Sequence, residues 1–382
     1  MKILHITPAC YPATYWGGPI FTVYALNNAL AEMSGVTLRV LTTDTAGPKL
    51  SQRLDHSQLI DLYPNQEVIM VPRIAGISVS IEMLWQLPSL VRWADVIHLT
   101  AIYSFPTIPT LLICRVLRKP VVWSPHGAVQ DAYEWTGSKR KGLKRAWEIL
   151  CNILIAPGRV VTHVISERER IPTQARIPKA NAVIVPNGIN LPNVIAEKSW
   201  MPEGKLRLLY LGRLSPKKGI ENLLHAMALL NDQTVVLSVY GVGDAVYDES
   251  LLDLADKLGL LNKNVFFIGH VDGDKKDQAF YHSDVCIVPS YTECFCMVVA
   301  EALIHGVPVI ASQGTPWAEI EGKRCGLWVN NSPDSLAFAI ARVRTMDLLK
   351  MGERGRDWMM HEFSWNIHAK KMMEIYKSLV LY

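Results

Sequence analysis

The sequence predicts an α/β protein built as two domains of similar size, each a parallel sheet covered by helices, and three observations carry that expectation. Strand-like and helix-like segments alternate along the whole chain, the pattern of parallel sheets covered on both faces. The alternation runs through once and restarts at Lys205. At 382 residues the chain is also longer than a single core readily fills. The turn-rich stretch from Pro186 to Pro202 reads as the linker. This gives a first domain over 1–195, a second over 196–363, and a closing helical segment over 364–382.

Composition narrows the class. Hydrophobic residues at 49% and charged residues at 19% describe well-filled cores, not a disordered or fibrous chain. A net charge of +4 is too small to argue for nucleic acid as a partner, though it suits an anionic surface or a phosphorylated substrate. Seven cysteines without a CxxC pair argue against a disulfide framework and a structural zinc site. Met1 and Lys2 lead straight into a strand, and the apolar run from Ala101 to Leu117 is interrupted by Pro106 and Pro109. The expectation is a cytoplasmic protein, soluble or peripheral at the inner face of the membrane.

In the first half, strands are expected at Lys2–Thr7, Thr37–Thr42, Glu67–Arg73, Val96–Thr100, Val121–Ser124, Val160–Ile165 and Ala182–Val185, with the clearest helices at Pro19–Met33 and Leu143–Ile155. Gly17 and Gly18 precede a helix with Pro19 at its start, so the loop can turn sharply and expose N–H donors, or simply make a tight turn. His126, in Pro125-His126-Gly127, ends a strand where the sites of open parallel sheets collect. The stretch Lys139–Leu150 combines five cations with an apolar stripe at Leu143, Trp147 and Leu150. It fits a helix that buries its stripe and solvates its basic face, and it also fits a helix lying on an anionic membrane.

The second half is expected to hold strands at Lys205–Gly212, Thr234–Tyr240, Val265–Gly269 and Asp284–Pro289, with another after Pro308. Helices are expected at Gly219–Leu230 and Ser250–Leu258, and from Pro333 to the end of the chain. Arg213 and Lys218 leave the first of these strands at the sheet edge and supply counter-charge for a phosphate, with Lys217 as an alternative to Lys218. Gly241-Val-Gly243 lacks the third glycine of a dinucleotide fingerprint and reads as a loop beside a nucleotide. Asp272-Gly-Asp274 spells a metal motif but lies in a turn before a helix, so no metal is expected.

The chain is organised around Asp284–Ser312: strand, polar loop, a short helix from Met297 to His305, Gly306 as its stop, and a second buried strand. A loop ending at a helix N-terminus on a sheet edge is an anion site. Glu293 and Glu301 bracket it, and carboxylates accept hydrogen bonds from hydroxyls. A ligand with phosphate between hydroxyl-bearing rings, such as a nucleoside-diphosphate sugar, satisfies all of these elements.

The run Glu293-Cys-Phe-Cys-Met-Val-Val-Ala-Glu301 resembles the Glu-x7-Glu motif of the retaining glycosyltransferases of family 4, with the GT-B fold, in which two Rossmann-like domains face each other across a cleft and the last helix crosses back to the first. The resemblance implies that Glu293, Phe295, Cys296, Met297 and Val298 meet the donor sugar and diphosphate, and that Glu301 takes the ribose. It also implies a donor-phosphate motif at Arg213 and Lys218, donor or acceptor contacts at Gly17 and Gly18, a reacting-region role for His126, and a base held near His270 and Val271. Cys296 stands where the family usually has glycine. Segments around Trp317 and Trp328 resemble bacterial polysaccharide-assembly members, though both residues also suit a core.

The expected function is therefore sugar transfer to a glycan or polyprenyl-linked acceptor in cell-surface polysaccharide biosynthesis. His126, Arg213, Lys218 and Glu293 are the catalytic candidates, and neither cofactor nor metal is expected. Rival expectations are a nucleotide-sugar epimerase, a nicotinamide oxidoreductase, or a sugar-nucleotide sensor without catalysis.

Overall fold

The computed structural model describes residues 1–129, 140–192 and 198–381. It divides into two compact units, Met1–Gly188 together with the chain from Trp365 onward, and Ile189–Ser364. The domain boundary expected at 195/196 lies outside the described residues.

The first unit holds a seven-stranded parallel sheet in the order β3-β2-β1-β4-β5-β6-β7. Its strands are β1 (Lys2–Ile6), β2 (Thr37–Thr43), β3 (Glu67–Val71), β4 (Val96–Thr100), β5 (Val121–Ser124), β6 (Val160–Val164) and β7 (Asn181–Ile184). The central strands β4 and β5 are buried at every position, as expected for strands with helices on both faces. The order reverses between β1 and β4, which are directly paired from Ile3 with Val96 to Ile6 with Leu99.

The last helix, Trp365–Val380, belongs to this first unit. Its buried stripe of Ala369, Met372, Met373, Tyr376 and Leu379 joins the core with Ile3, Leu30 and Leu38. The Tyr376 hydroxyl meets Nδ1 of the buried His98 at 2.6 Å, and Nδ1 of His368 donates to the Pro186 carbonyl at 2.6 Å. Gly188 allows the helix to dock, because a Cβ there would sit 2.4 Å from the Trp365 ring.

The second unit repeats the plan with six parallel strands ordered β10-β9-β8-β11-β12-β13. These are β8 (Leu206–Leu211), β9 (Val235–Tyr240), β10 (Val265–Gly269), β11 (Val285–Val288), β12 (Val309–Ser312) and β13 (Gly326–Val329). Here the reversal falls between β8 and β11, paired at Val285 with Leu208 and Cys286 with Leu209. Strand β13 was not among the expected strands. Three helices, Pro333–Val343, Leu348–Glu362 and Trp365–Val380, fill the region after Pro333.

The basic segment forms a helix over Lys141–Leu154, and Lys139 lies outside the described residues. Its expected apolar stripe does not bury as one. Trp147 turns inward and donates from Nε1 to the Ile102 carbonyl at 2.7 Å, while Leu143, Ile149, Leu150 and Ile153 face solvent. Among the described residues no helix is long and apolar enough to cross a membrane.

Candidate active site

In open parallel sheets, ligands collect outside the carboxyl ends of the strands where the strand order reverses. The loops leaving β8 and β11 meet at that point in the second unit. The β8 loop closes with a tight turn over Pro216–Lys218 and then Gly219. Gly219 has φ of 64°, and a Cβ on it would come 2.2 Å from the Pro289 carbonyl oxygen and 2.7 Å from Nδ2 of Asn331. Glycine is thus what lets this loop lie against the end of β11. The Tyr291 N–H then donates to the Lys217 carbonyl at 2.8 Å, fastening one loop to the other.

This contact brings Lys218, and not the exposed Lys217, to Glu293, whose carboxylate accepts a hydrogen bond from Nζ of Lys218. The side chains are only 20% and 11% exposed. Ser290 donates to the same carboxylate oxygen at 2.8 Å, and the Glu293 N–H donates to the Gly314 carbonyl at 3.0 Å. Burial alone would lower the Lys218 pKa, but the charge of Glu293 and its hydrogen bond outweigh it, and the pKa ends above the ordinary lysine value. Lys218 is therefore fully cationic at neutral pH. Arg213 is exposed, near enough for its charge to oppose that of Lys218, and its carbonyl accepts from the Tyr210 hydroxyl at 3.1 Å.

Beyond Glu293 the chain enters the helix Met297–Ile304 through Cys296, which is buried and holds a left-handed backbone at φ 69° and ψ 73°. That conformation explains why glycine suits this position. Phe295 packs its ring against Trp317 at 5.1 Å, and its carbonyl accepts the Trp317 indole N–H, so only its backbone can serve a ligand. Trp317 is core. Met297 and Val298 form the first helical turn, where backbone N–H groups and the helix dipole favour negative charge. Glu301, one turn further, accepts from Nζ of Lys276 at 2.6 Å, which leaves a second oxygen for another donor.

His270 and Val271 follow β10 on the same sheet edge, His270 exposed and 3.7 Å from an Asp272 oxygen. The glycines of Gly241-Val-Gly243 serve close backbone approach: a Cβ on Gly241 would lie 1.9 Å from the Gly212 carbonyl oxygen. Among the described residues no three His, Cys, Asp or Glu side chains gather to hold a metal.

Gly17, Gly18 and His126 belong to the first unit, at its own reversal point. Gly17 has φ of 79°, and Gly18 opens the helix Gly18–Ala31 with Pro19 in its first turn. A Cβ on either glycine would meet nothing within 4 Å. His126 adopts a left-handed φ of 51° and borders a cavity of about 240 Å³ at the carboxyl ends of β1, β4 and β5. Burial, and then the neighbouring His163, His5 and His368, push its pKa down to about 3, so it is a neutral imidazole at physiological pH. Its loop is held by a residue that sequence reasoning missed. The buried carboxylate of Glu169 accepts the N–H of Gly127 and, at 2.9 Å, the N–H of Ile165. Ser290 and Lys276 were missed as well. Glu169 reaches Gly127 42 positions away and Lys276 reaches Glu301 25 positions away, which no local pattern announces, whereas Ser290 lies only three positions from Glu293 in the same polar loop.

Two parallel Rossmann-like sheets, each with its polar loops at the strand-order reversal, define the GT-B class. Two family models match in succession, "Glycosyltransferase Family 4" over residues 16–192 and "Glycosyl transferases group 1" over 194–358. The chain belongs to the family 4 glycosyltransferases. It is 31% identical over 238 residues to an uncharacterized glycosyltransferase of Methanocaldococcus jannaschii, a match covering 57% of this chain and 59% of that protein. It is 27% identical over 299 residues to the phosphatidyl-myo-inositol mannosyltransferase of Mycobacterium leprae, covering 75% and 74%. Anabaena HepE, solved in complex with UDP, shares the fold with a TM-score of 0.73 at 16% identity, over 99% of this chain and 100% of that one.

Proposed function

We propose that this protein transfers a hexosyl group, with retention of configuration, from a nucleoside-diphosphate sugar to a hydroxyl of a glycan or lipid-linked glycan, in the assembly of a cell-surface polysaccharide. The observation that carries the reading is the Lys218–Glu293 pair beside the N-terminus of the helix Met297–Ile304. An ammonium, an arginine and a helix pole on one sheet edge oppose the charge that grows on a departing diphosphate. Lys218 and Arg213 take the phosphates, with the backbone from Phe295 to Val298. Glu293 accepts a donor-sugar hydroxyl, Glu301 accepts the ribose hydroxyls, and His270 and Val271 border the base. Because fixed cations meet the diphosphate, neither metal nor further cofactor is required.

The acceptor falls to the first unit. Its Gly17-Gly18 loop leaves open space beside a helix start, and the neutral imidazole of His126 can accept a hydroxyl proton or donate to an oxygen. Contact with an anionic membrane at the inner face is supported by the helix Lys141–Leu154. Leu143, Ile149, Leu150 and Ile153 are exposed there, alongside Arg140, Lys141, Lys144 and Arg145. The test is incubation with UDP- and GDP-linked sugars, with and without EDTA, followed by NMR of the product anomer. A retained anomer formed in EDTA is expected. Inverted product, or an altered donor without any acceptor, contradicts the proposal.

A further inference from the structure

We propose that the cavity at the β1/β4 reversal of the first unit binds hydrocarbon: it takes the head-proximal part of the chain of a lipid-linked acceptor, not a sugar ring. This rests on the reading of the first unit as the acceptor side. The walls include Pro8, Ala9, Ile20, Ile77, Ile102 and Pro125. The hydroxyls that reach the wall are already committed within the protein. Thr7 donates to the Ala9 carbonyl at 2.8 Å, Thr100 meets Nε2 of His5 at 2.7 Å, Tyr103 donates to Glu148, and Ser104 lies 3.4 Å from the Thr107 hydroxyl.

A sugar ring placed there would give up water from several hydroxyls and find few partners to replace it. Among the described residues two polar side chains in the wall remain. One is the neutral His126 imidazole, and the other is the Trp16 indole N–H, buried and without a partner. Two such groups suit a single oxygen at the head of an apolar chain.

The apolar wall also continues outward. Ile77 is 45% exposed at the cavity wall, and its loop, closed by the Ile74 N–H to Val79 carbonyl bond at 2.8 Å, leads into the helix Ile81–Trp93. Ile81, Leu84 and Trp85, three and four positions apart and so on one face, are exposed there, Trp85 by 81%. Ile74 is exposed as well. A run of large apolar side chains left in water marks an interaction surface, and a chain leaving the cavity past Ile77 would cover it.

The test is calorimetric binding to the whole 382-residue chain, without donor. The probes are prenyl phosphates and acyl glycerol phosphates of increasing chain length, n-alkyl glucosides of matching lengths, and glucose. Affinity should rise by about fourfold per added methylene until the cavity is filled, whatever the head group. Ile77→Asp should reduce long-chain binding at least tenfold while leaving UDP binding intact, which also reports that the variant is folded. The prenyl and acyl arms identify which chain is preferred. Affinity independent of chain length, glucose binding as tightly as its alkyl glucosides, or Ile77→Asp without effect would each overturn the proposal. Absent transfer with a chain-length dependence intact would sink the transferase reading and leave the hydrocarbon site standing. Transfer to soluble glycans with no chain-length dependence would sink the hydrocarbon site alone.

Discussion

Lys218 and Glu293 stand 75 positions apart in the chain and form one shielded ion pair where β8 and β11 meet. Removing Glu293 alone leaves a desolvated ammonium, and removing Lys218 alone leaves a desolvated carboxylate. Each single variant, Lys218→Met and Glu293→Gln, should lower stability by roughly 1–3 kcal/mol, and the double variant by less than the sum. Urea unfolding of the four proteins checks this. Additive losses would mean that the pair is not coupled.

For turnover the expectation is larger. Lys218→Ala should cut kcat on the order of a hundredfold, the effect of losing one preorganised charge contact to a leaving group. Steady-state kinetics with the preferred donor measure it, and Lys217→Ala, which alters the exposed neighbour, should stay near the parent rate.

Cys296 is a buried L-residue held in left-handed backbone. That geometry costs about 1–2 kcal/mol, while glycine adds about 0.5–1 kcal/mol of unfolded-state entropy. The two nearly cancel, so Cys296→Gly should keep both activity and a Tm within a few degrees of the parent. Cys296→Val, β-branched and bulky at positive φ, should lower Tm by about 5 °C or more. Thermal scans of the pair decide the matter.

Acid should unfold the first unit early. His5 and His163 are pushed down to about 4, and His126 and His368 to about 3, in each case chiefly by burial. Their folded values lie below the ordinary 6.5, so the unfolded chain takes up protons that the fold refuses. Stability is then complete above about pH 6.5 and falls as the pH drops toward 4, by about 1.4 kcal/mol per pH unit for each histidine that stays neutral. Chemical denaturation from pH 7.5 to 4.5 should show this slope. A flat profile would mean that the histidines are not buried as described.

Glu169 touches no reacting group, but it ties the His126–Gly127 loop to the end of β6. Glu169→Ala should raise the acceptor KM severalfold and leave the donor KM unchanged, with partial recovery in Glu169→Gln, which keeps one acceptor oxygen. Equal changes in both KM values would point to general unfolding instead.

How much of this was legible in the sequence depends on how local each feature is. Val96–Thr100, Val121–Ser124 and Val265–Gly269 stand out as apolar runs bounded by turn residues, and the strands occupy those same residues. Gly326–Val329 escaped because it is a four-residue strand that opens on glycine. The register of Lys218 against Gly219 was readable because glycine marks the point where two loops touch. The inward turn of Trp147 and the outward turn of Leu143 and Leu150 were not, since periodicity identifies an apolar stripe but not which of its members the neighbouring helices cover. Glu169 and Lys276 were invisible for a related reason: each gains its role from a partner that only the tertiary fold supplies, whereas Ser290 meets Glu293 within one loop and only the loop's turn brings the two together.

The most direct measurement is calorimetric titration of UDP and GDP into the parent protein and into Lys218→Gln. Saturable binding of at least one nucleotide, weakened about tenfold or more in the variant and accompanied by a smaller gain in Tm, is the predicted result. Equal affinity in both proteins, or no nucleotide binding at all, would contradict the placement of the diphosphate at the meeting of β8 and β11.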